Sequence, residues 1–151
     1  MEPLDLDLDH YPQPEGNDPG SLFAALKALR DAHDESSAGE AYDRFLWTVG
    51  NNHTGTFYPV VLAALPQIEQ LLIEGGVWPR QAAMEALIDL GGAFVPEQGH
   101  ETYLGASVQE TLRVFIRSMR PHVLPFAHGG DALSRSATDL VELIDDLADL
   151  R

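Results

Sequence analysis

The chain of 151 residues contains no cysteine. That excludes a disulfide framework, a thiolate metal site and a cysteine nucleophile. Basic residues are scarce as well. Lys27 is the single lysine, and 9 Lys and Arg stand against 24 Asp and Glu, a formal net charge of −15. Phosphate backbones are bound through basic side chains, so this surface is expected to repel nucleic acid. No apolar run approaches the ~20 residues of a membrane-spanning helix, and no membrane partner is expected. The opening stretch, MEPLDLDLDH, lacks the basic and apolar regions of a secretion signal, so cytoplasmic residence is expected.

What is present is the composition of one globular domain, 44% hydrophobic and 22% charged, long enough to bury a core. Residues 1–17 read as an acidic, flexible segment, and residues 18–151 as a single domain. The alternation Leu4-Asp5-Leu6-Asp7-Leu8-Asp9 has the period of a strand but is hemmed in by Pro3, Pro12 and Pro14. Asp5, Asp7 and Asp9 match the first ligand positions of a calcium loop. His10 stands where that loop needs glycine, and Gly16 where it needs its closing glutamate, so an EF-hand is rejected.

Apolar spacing predicts six helices. The first starts at Asp18-Pro19, carries Leu22, Ala25, Leu26 and Leu29 on one face, and is broken at Glu35 to Gly39. The second covers 40–49, with Tyr42, Phe45, Leu46 and Val49 inward. The third, 58–74, buries Val61, Leu62, Leu65, Ile68, Leu71 and Leu72 and should bend at Pro66. The fourth opens at Pro79 and ends at Gly91-Gly92. The fifth runs over 107–126, deformed at its end by Pro121 and Pro125. Asp131 caps the sixth, which carries Leu133, Ala137, Leu140, Val141, Ile144 and Leu147. No strand is predicted. Ala83, Ala86, Leu87 and Leu90 of the fourth helix recur at equal spacing as Ala137, Leu140, Val141 and Ile144 of the sixth. Paired helices repeating in this way are the mark of an α-solenoid.

The run VVLAALPQIEQLLIEGGVWPRQAAMEALIDLGG, Val60 to Gly92, resembles one HEAT repeat. It has a leucine-rich first helix with a central proline, a short turn, and R-x-A-A-x-x-A-L-x-x-L as the second helix. The third hairpin matches loosely and the first is short. GNNHTGTFYP, Gly50 to Pro59, joined to this repeat is also similar to a segment of uncharacterised bacterial HEAT-like proteins. The resemblance implies an all-α, right-handed α-α superhelix of the HEAT and armadillo kind, made of about three hairpins. The long 94–105 connection departs from the usual repeat.

A helix-to-helix turn needs a glycine or asparagine and little more. GNNHTGTFYP instead packs Asn51, Asn52, His53, Thr54, Thr56 and Tyr58 into one connection. In a solenoid the connections 50–57 and 93–105 share an edge, about one helix diameter (~10 Å) apart. The candidate binding residues are therefore Asn51, Asn52, His53, Thr54, Tyr58, Glu97, His100, Glu101 and Tyr103, with His100 and Glu101 the expected neighbours of His53. The plainer reading gives Asn51 a left-handed cap, Thr56 or Tyr58 the start of the third helix, and Asn52 a loose carbonyl. No metal-ligand spacing occurs, and no serine sits in a nucleophile elbow, so no metal, cofactor or catalytic residue is expected.

Trp47 and Trp78 are read as structural, with one of Leu46 and Trp47 facing inward; either, if exposed, is a natural interface anchor. Arg113, Arg117 and Arg120, with His122 and His128, form the one basic stripe. It is expected either to pair with the acidic face of the sixth helix at Asp139, Glu142, Asp146 and Asp149 or to stay solvated, with an anion site as the alternative. The functional expectation is a non-catalytic protein-binding module whose acidic surface suits a basic protein partner. One form of it is an immunity-type protein that neutralises a basic toxin such as a nuclease. The alternative is a small-molecule or metal-dependent hydrolytic enzyme using the edge of loops 50–58 and 94–104. The open ends of a short solenoid also lead to the expectation of a weak homodimer.

Overall fold

Periodic apolar stripes fold here as helices, and the connections between them hold more structure than turns require. The computed structural model describes residues 11–149, so the Leu-Asp alternation of residues 4–9 lies outside the described residues. The fold is all-α, with short strands confined to two connections. In chain order the elements are α1 (Ser21–Asp31), α2 (Glu35–Val49), β1 (Gly50–Asn51), β2 (Thr56–Phe57), α3 (Val61–Glu74) and α4 (Val77–Gly91). They are followed by β3 (Val95–Pro96), β4 (Thr102–Tyr103), β5 (Ala106–Ser107), α5 (Val108–Ser118), α6 (Arg120–Val123), a 3-10 turn (Leu124–Phe126) and α7 (Ala132–Ala148). No helix among the described residues is long and apolar enough to cross a membrane.

Several boundaries differ from the sequence expectation, each for a local reason. Asp18 starts a turn rather than α1: its carboxylate accepts from Gly20 N–H and Ser21 Oγ, and the helix begins at Ser21. Glu35 to Gly39 does not break a helix but opens α2. Asp34 caps it by accepting from Ser37 N–H at 2.7 Å, while Ser37 Oγ accepts from Asp34 N–H. That reciprocal capping box outweighs the low helix propensity of two serines and a glycine. Helix α4 begins at Val77, so Pro79 falls in the first turn, where its missing N–H has no partner to lose. The expected long fifth helix is three pieces, because Pro121 and Pro125 cannot donate to the preceding turn. Pro66 is tolerated within α3, on its exposed side. Asp131 caps α7 as expected, through Ser134 N–H.

Packing centres on α4. It lies against α2 on one side and α7 on the other, with α3 beside it; α3 in turn touches α1 and α5. Pro79, Ala82, Ala83, Met84, Ala86, Leu87 and Leu90 are all buried, so α4 is apolar around much of its circumference. Leu22, Leu26, Phe45, Leu46, Ile68, Leu72 and Leu112 complete a single core with it. Each such side chain contributes roughly 1.5–3 kcal/mol on burial. Arg80 clamps the α3–α4 corner. It donates to the Leu72 carbonyl at 3.0 Å and the Ile73 carbonyl at 2.7 Å, and lies 4.5 Å from the Phe126 ring centre.

Residues 11–17, expected as part of the flexible segment, are held against the body. Val60 N–H donates to the Pro12 carbonyl at 3.1 Å, and Asn17 donates to the Thr48 carbonyl at 2.8 Å. Tyr11 stacks on Tyr103 with ring centres 4.9 Å apart. These contacts reach an edge formed only in the folded chain, so local sequence does not signal them.

Candidate functional site

The two polar connections meet through their backbones. β1 pairs antiparallel with β2, and β2 pairs parallel with β3, so Thr56 faces Val95 and Phe57 faces Pro96. Val95 N–H donates to the Gly55 carbonyl at 3.0 Å and Glu97 N–H to the Phe57 carbonyl at 2.8 Å. The strands correct the expectation of none. They form because both connections must satisfy backbone groups beside a buried aromatic, Phe57, which is fully covered. Gly50 is required by this pairing. A Cβ there would collide with the Thr56 carbonyl oxygen and stand 2.7 Å from Phe57 Cα.

Within the first connection, Asn51 is neither a left-handed cap nor a free acceptor. Its Oδ1 accepts from His53 N–H at 2.9 Å and Thr54 N–H at 3.0 Å, and Gly55 N–H closes the turn on the Asn51 carbonyl. Asn52 donates to the Asp43 carboxylate of α2 at 2.6 Å rather than to a carbonyl. Thr54 and Thr56 share a hydroxyl contact at 3.3 Å. Neither Thr56 nor Tyr58 caps α3, whose first residue follows Val60 without a side-chain cap.

His53 is exposed, and among the described residues its ring takes part in no hydrogen bond, ion pair or ring contact. The expected grouping of His53 with His100 and Glu101 is not formed. His100 lies instead against Tyr58, ring centres 4.9 Å apart and tilted by 42°. Glu101 turns back on its own loop, accepting from Gly99 N–H at 3.1 Å; its own backbone N–H and that of Gly99 hold its carboxyl below the ordinary value of 4.5. Tyr103 sits in the β4–β5 hairpin under Tyr11. At the tip of that hairpin Leu104 is 88% exposed with φ +50°, followed by Gly105 at φ +83°.

Tyr58 occupies the centre of the edge. Burial first, then the charges of Glu97 and Glu15, push its phenol above 10.0, so both carboxylates act on this ring. An open groove of about 630 Å³ runs beside it, lined by residues 14–17, by Arg44, Trp47 and Thr48 of α2, by Asn51 and Thr54, and by Glu97. Sequence reasoning found Asn51, Thr54, Tyr58 and Glu97 here and missed Arg44 and Glu15. Leu46 is the inward member of the Leu46–Trp47 pair, and Trp47 is 46% exposed. Trp78, by contrast, is half-buried against the core.

A second charged region spans α2, α4 and α7. Tyr42 donates to Asp89, and burial together with that bond and the nearby acids raises the phenol strongly. Burial raises the Glu85 carboxyl above 4.5, opposed by a bond from Ser136 and reinforced by Asp89 and Asp139. Among the described residues, no group of three His, Asp or Glu side chains is arranged to hold a metal ion. The basic stripe pairs only in part as expected. Arg120 meets Asp145 of α7 at 3.0 Å rather than Asp139, Glu142, Asp146 or Asp149, while Arg117 meets Glu110 of its own helix at 3.3 Å. Arg113 Nε is buried without a hydrogen-bond partner.

Comparison with protein-family models, with curated proteins and with solved structures found no match to this chain.

Proposed function

We propose that this chain is a non-catalytic protein-binding module, a HEAT-like right-handed superhelix of three hairpins that receives a partner with a basic surface. The observation that carries this reading is the carboxylate cluster of Glu85, Asp89 and Asp139 across α4 and α7. Burial raises the half-buried acid Glu85, and the like charges of Asp89 and Asp139 add to it against the bond from Ser136. A basic partner relieves that repulsion, which makes the face more favourable in a complex than alone. The order of helix packing supports the architecture: α2, α4 and α7 follow one another as one layer, with α1, α3 and α5 as the other. Neutralisation of a basic toxin, in the manner of an immunity protein, is one form this function takes. Cytoplasmic residence belongs to the same reading.

The test is capture of partners from the native organism by the wild-type chain and by a Glu85→Lys/Asp139→Lys double variant. Substitution of Glu69 and Glu74 on α3 by lysine serves as the charge-matched control. The expected result is a basic protein retained by the wild type and the control, released by salt, and lost from the double variant. Equal retention by all three refutes the reading, as does a partner without a basic surface.

A further inference from the structure

We propose that the groove between residues 14–17, the end of α2 and the 50–58 loop receives an arginine side chain presented by the partner protein. The proposal rests on the protein-binding reading and names the contact site within it. Two aromatic rings and two carboxylates line the groove: Trp47, Tyr58, Glu15 and Glu97. Leu46 already supplies the buried apolar side chain at this point of α2, so the core does not account for Trp47. A half-exposed indole beside a polar loop is the type of residue that anchors interfaces.

The choice of arginine follows from the chemistry of the lining. A guanidinium is planar, stacks on aromatic faces and donates two parallel hydrogen bonds to a carboxylate. An ammonium engages the carboxylates but makes less of the flat rings. Tyr58 feels both Glu97 and Glu15, so acid and aromatic surface are adjacent rather than at opposite ends. Arg44 is the one basic group in the lining, and the two carboxylates outnumber it. The wall opposite α2 is preformed, because Asn17 is fixed to the Thr48 carbonyl and Pro12 to Val60 N–H. Preformed walls reduce the ordering cost of binding. A volume of about 630 Å³ exceeds one side chain and leaves space for the peptide on either side of it.

The experiment uses a Trp78→Phe background, in which Trp47 is the sole indole. Its emission is followed during titration with a capped glycine-arginine-glycine peptide and with its citrulline counterpart, which keeps the shape and loses the charge. The expected result is a saturable change with the arginine peptide and about tenfold weaker binding of the citrulline peptide. Glu97→Gln weakens the arginine peptide several-fold, Arg44→Gln tightens it, and Glu69→Gln/Glu74→Gln on α3, away from both faces, leaves it unchanged. Equal binding of the two peptides overturns the proposal. So does weakening by Arg44→Gln, which marks an anionic occupant, or an equal loss in the Glu69/Glu74 variant, which marks general charge attraction. Equal partner retention by the wild type and by Glu85→Lys/Asp139→Lys, with the peptide result intact, overturns the acidic-face reading and leaves the groove standing.

Discussion

Replacing Gly50 by alanine is the sharpest test of how the edge is built. Gly50 has φ −174°, an extended conformation open to any residue, so the substitution introduces no left-handed strain. Its effect is steric. The new methyl runs into the Thr56 carbonyl and the Phe57 backbone, which cannot rotate aside as a side chain would. Relief requires separating β1 from β2. That loosens Phe57 in its fully buried site and the two backbone bonds from Val95 and Glu97 to β2 and its preceding turn. Overpacking against rigid backbone costs about 1–3 kcal/mol, and partial exposure of Phe57 adds to it, so about 3 kcal/mol is expected. For a chain of this length that lowers Tm by roughly 6–12 °C. Calorimetry or circular dichroism on heating measures it. Gly39→Ala is the matched control: a Cβ there meets nothing within 4 Å in the middle of α2. Removing a helical glycine should stabilise by about 0.5–1 kcal/mol. A Tm for Gly50→Ala within a degree of wild type would refute the account of the edge.

Leu104→Asn should raise stability by about 1 kcal/mol in urea unfolding, because leucine at φ +50° carries left-handed strain that asparagine largely avoids, and the side chain is almost wholly exposed. Asn17→Ala removes the bond to the Thr48 carbonyl and should cost about 1 kcal/mol; hydrogen exchange at Val60 N–H, bonded to Pro12, should accelerate with it. Glu85 is expected to make stability fall as pH rises through the raised range of its carboxyl. The folded chain keeps this proton to higher pH than the unfolded chain, whose value is near 4.5, so deprotonation favours unfolding. Glu85→Gln should therefore be more stable than wild type at neutral pH, with the difference closing below the unfolded value; a pH-independent difference would contradict the burial of this group.

How far the sequence could be read depended on whether a signal was local. The apolar stripes of α1, α4 and α7 specify which faces are inward, and Asp131 marks the start of α7 correctly because capping acts within four residues. The Asp34–Ser37 box was equally local but was masked by the run of small residues after it, Ser36, Ser37 and Gly39. The prolines of the fifth helix announced a deformation whose extent depends on packing against α7. The meeting of the 50–57 and 94–105 connections followed from helix stacking, whereas their side-chain partners did not. Both loops offered a histidine, and like residues invited pairing. The buried demand was for ring contact and backbone satisfaction, so His100 went to Tyr58 and His53 remained outside. Glu15 and Arg44 were out of reach of any spacing rule, since residues 14–17 reach the groove through long-range contacts such as those of Asn17 and Pro12.

Charge gives the composition its structural meaning. Lys27 and Arg30 both turn to Asp31, Arg117 to Glu110 and Arg120 to Asp145. Arg80 and Arg135 donate to backbone carbonyls, of Leu72, Ile73 and Gly130. Such exposed pairs stabilise the fold little, about 0–1 kcal/mol each. Their consequence is where they leave the acid excess. Among the described residues Asp145 of α7 is paired with Arg120, whereas Glu85, Asp89 and Asp139 take part in no ion pair. Distributed evenly, a charge of −15 would act mainly on solubility. Where acids stand together, as Asp89 and Asp139 do beside half-buried Glu85, their charge also acts locally, adding to burial in raising the Glu85 carboxyl.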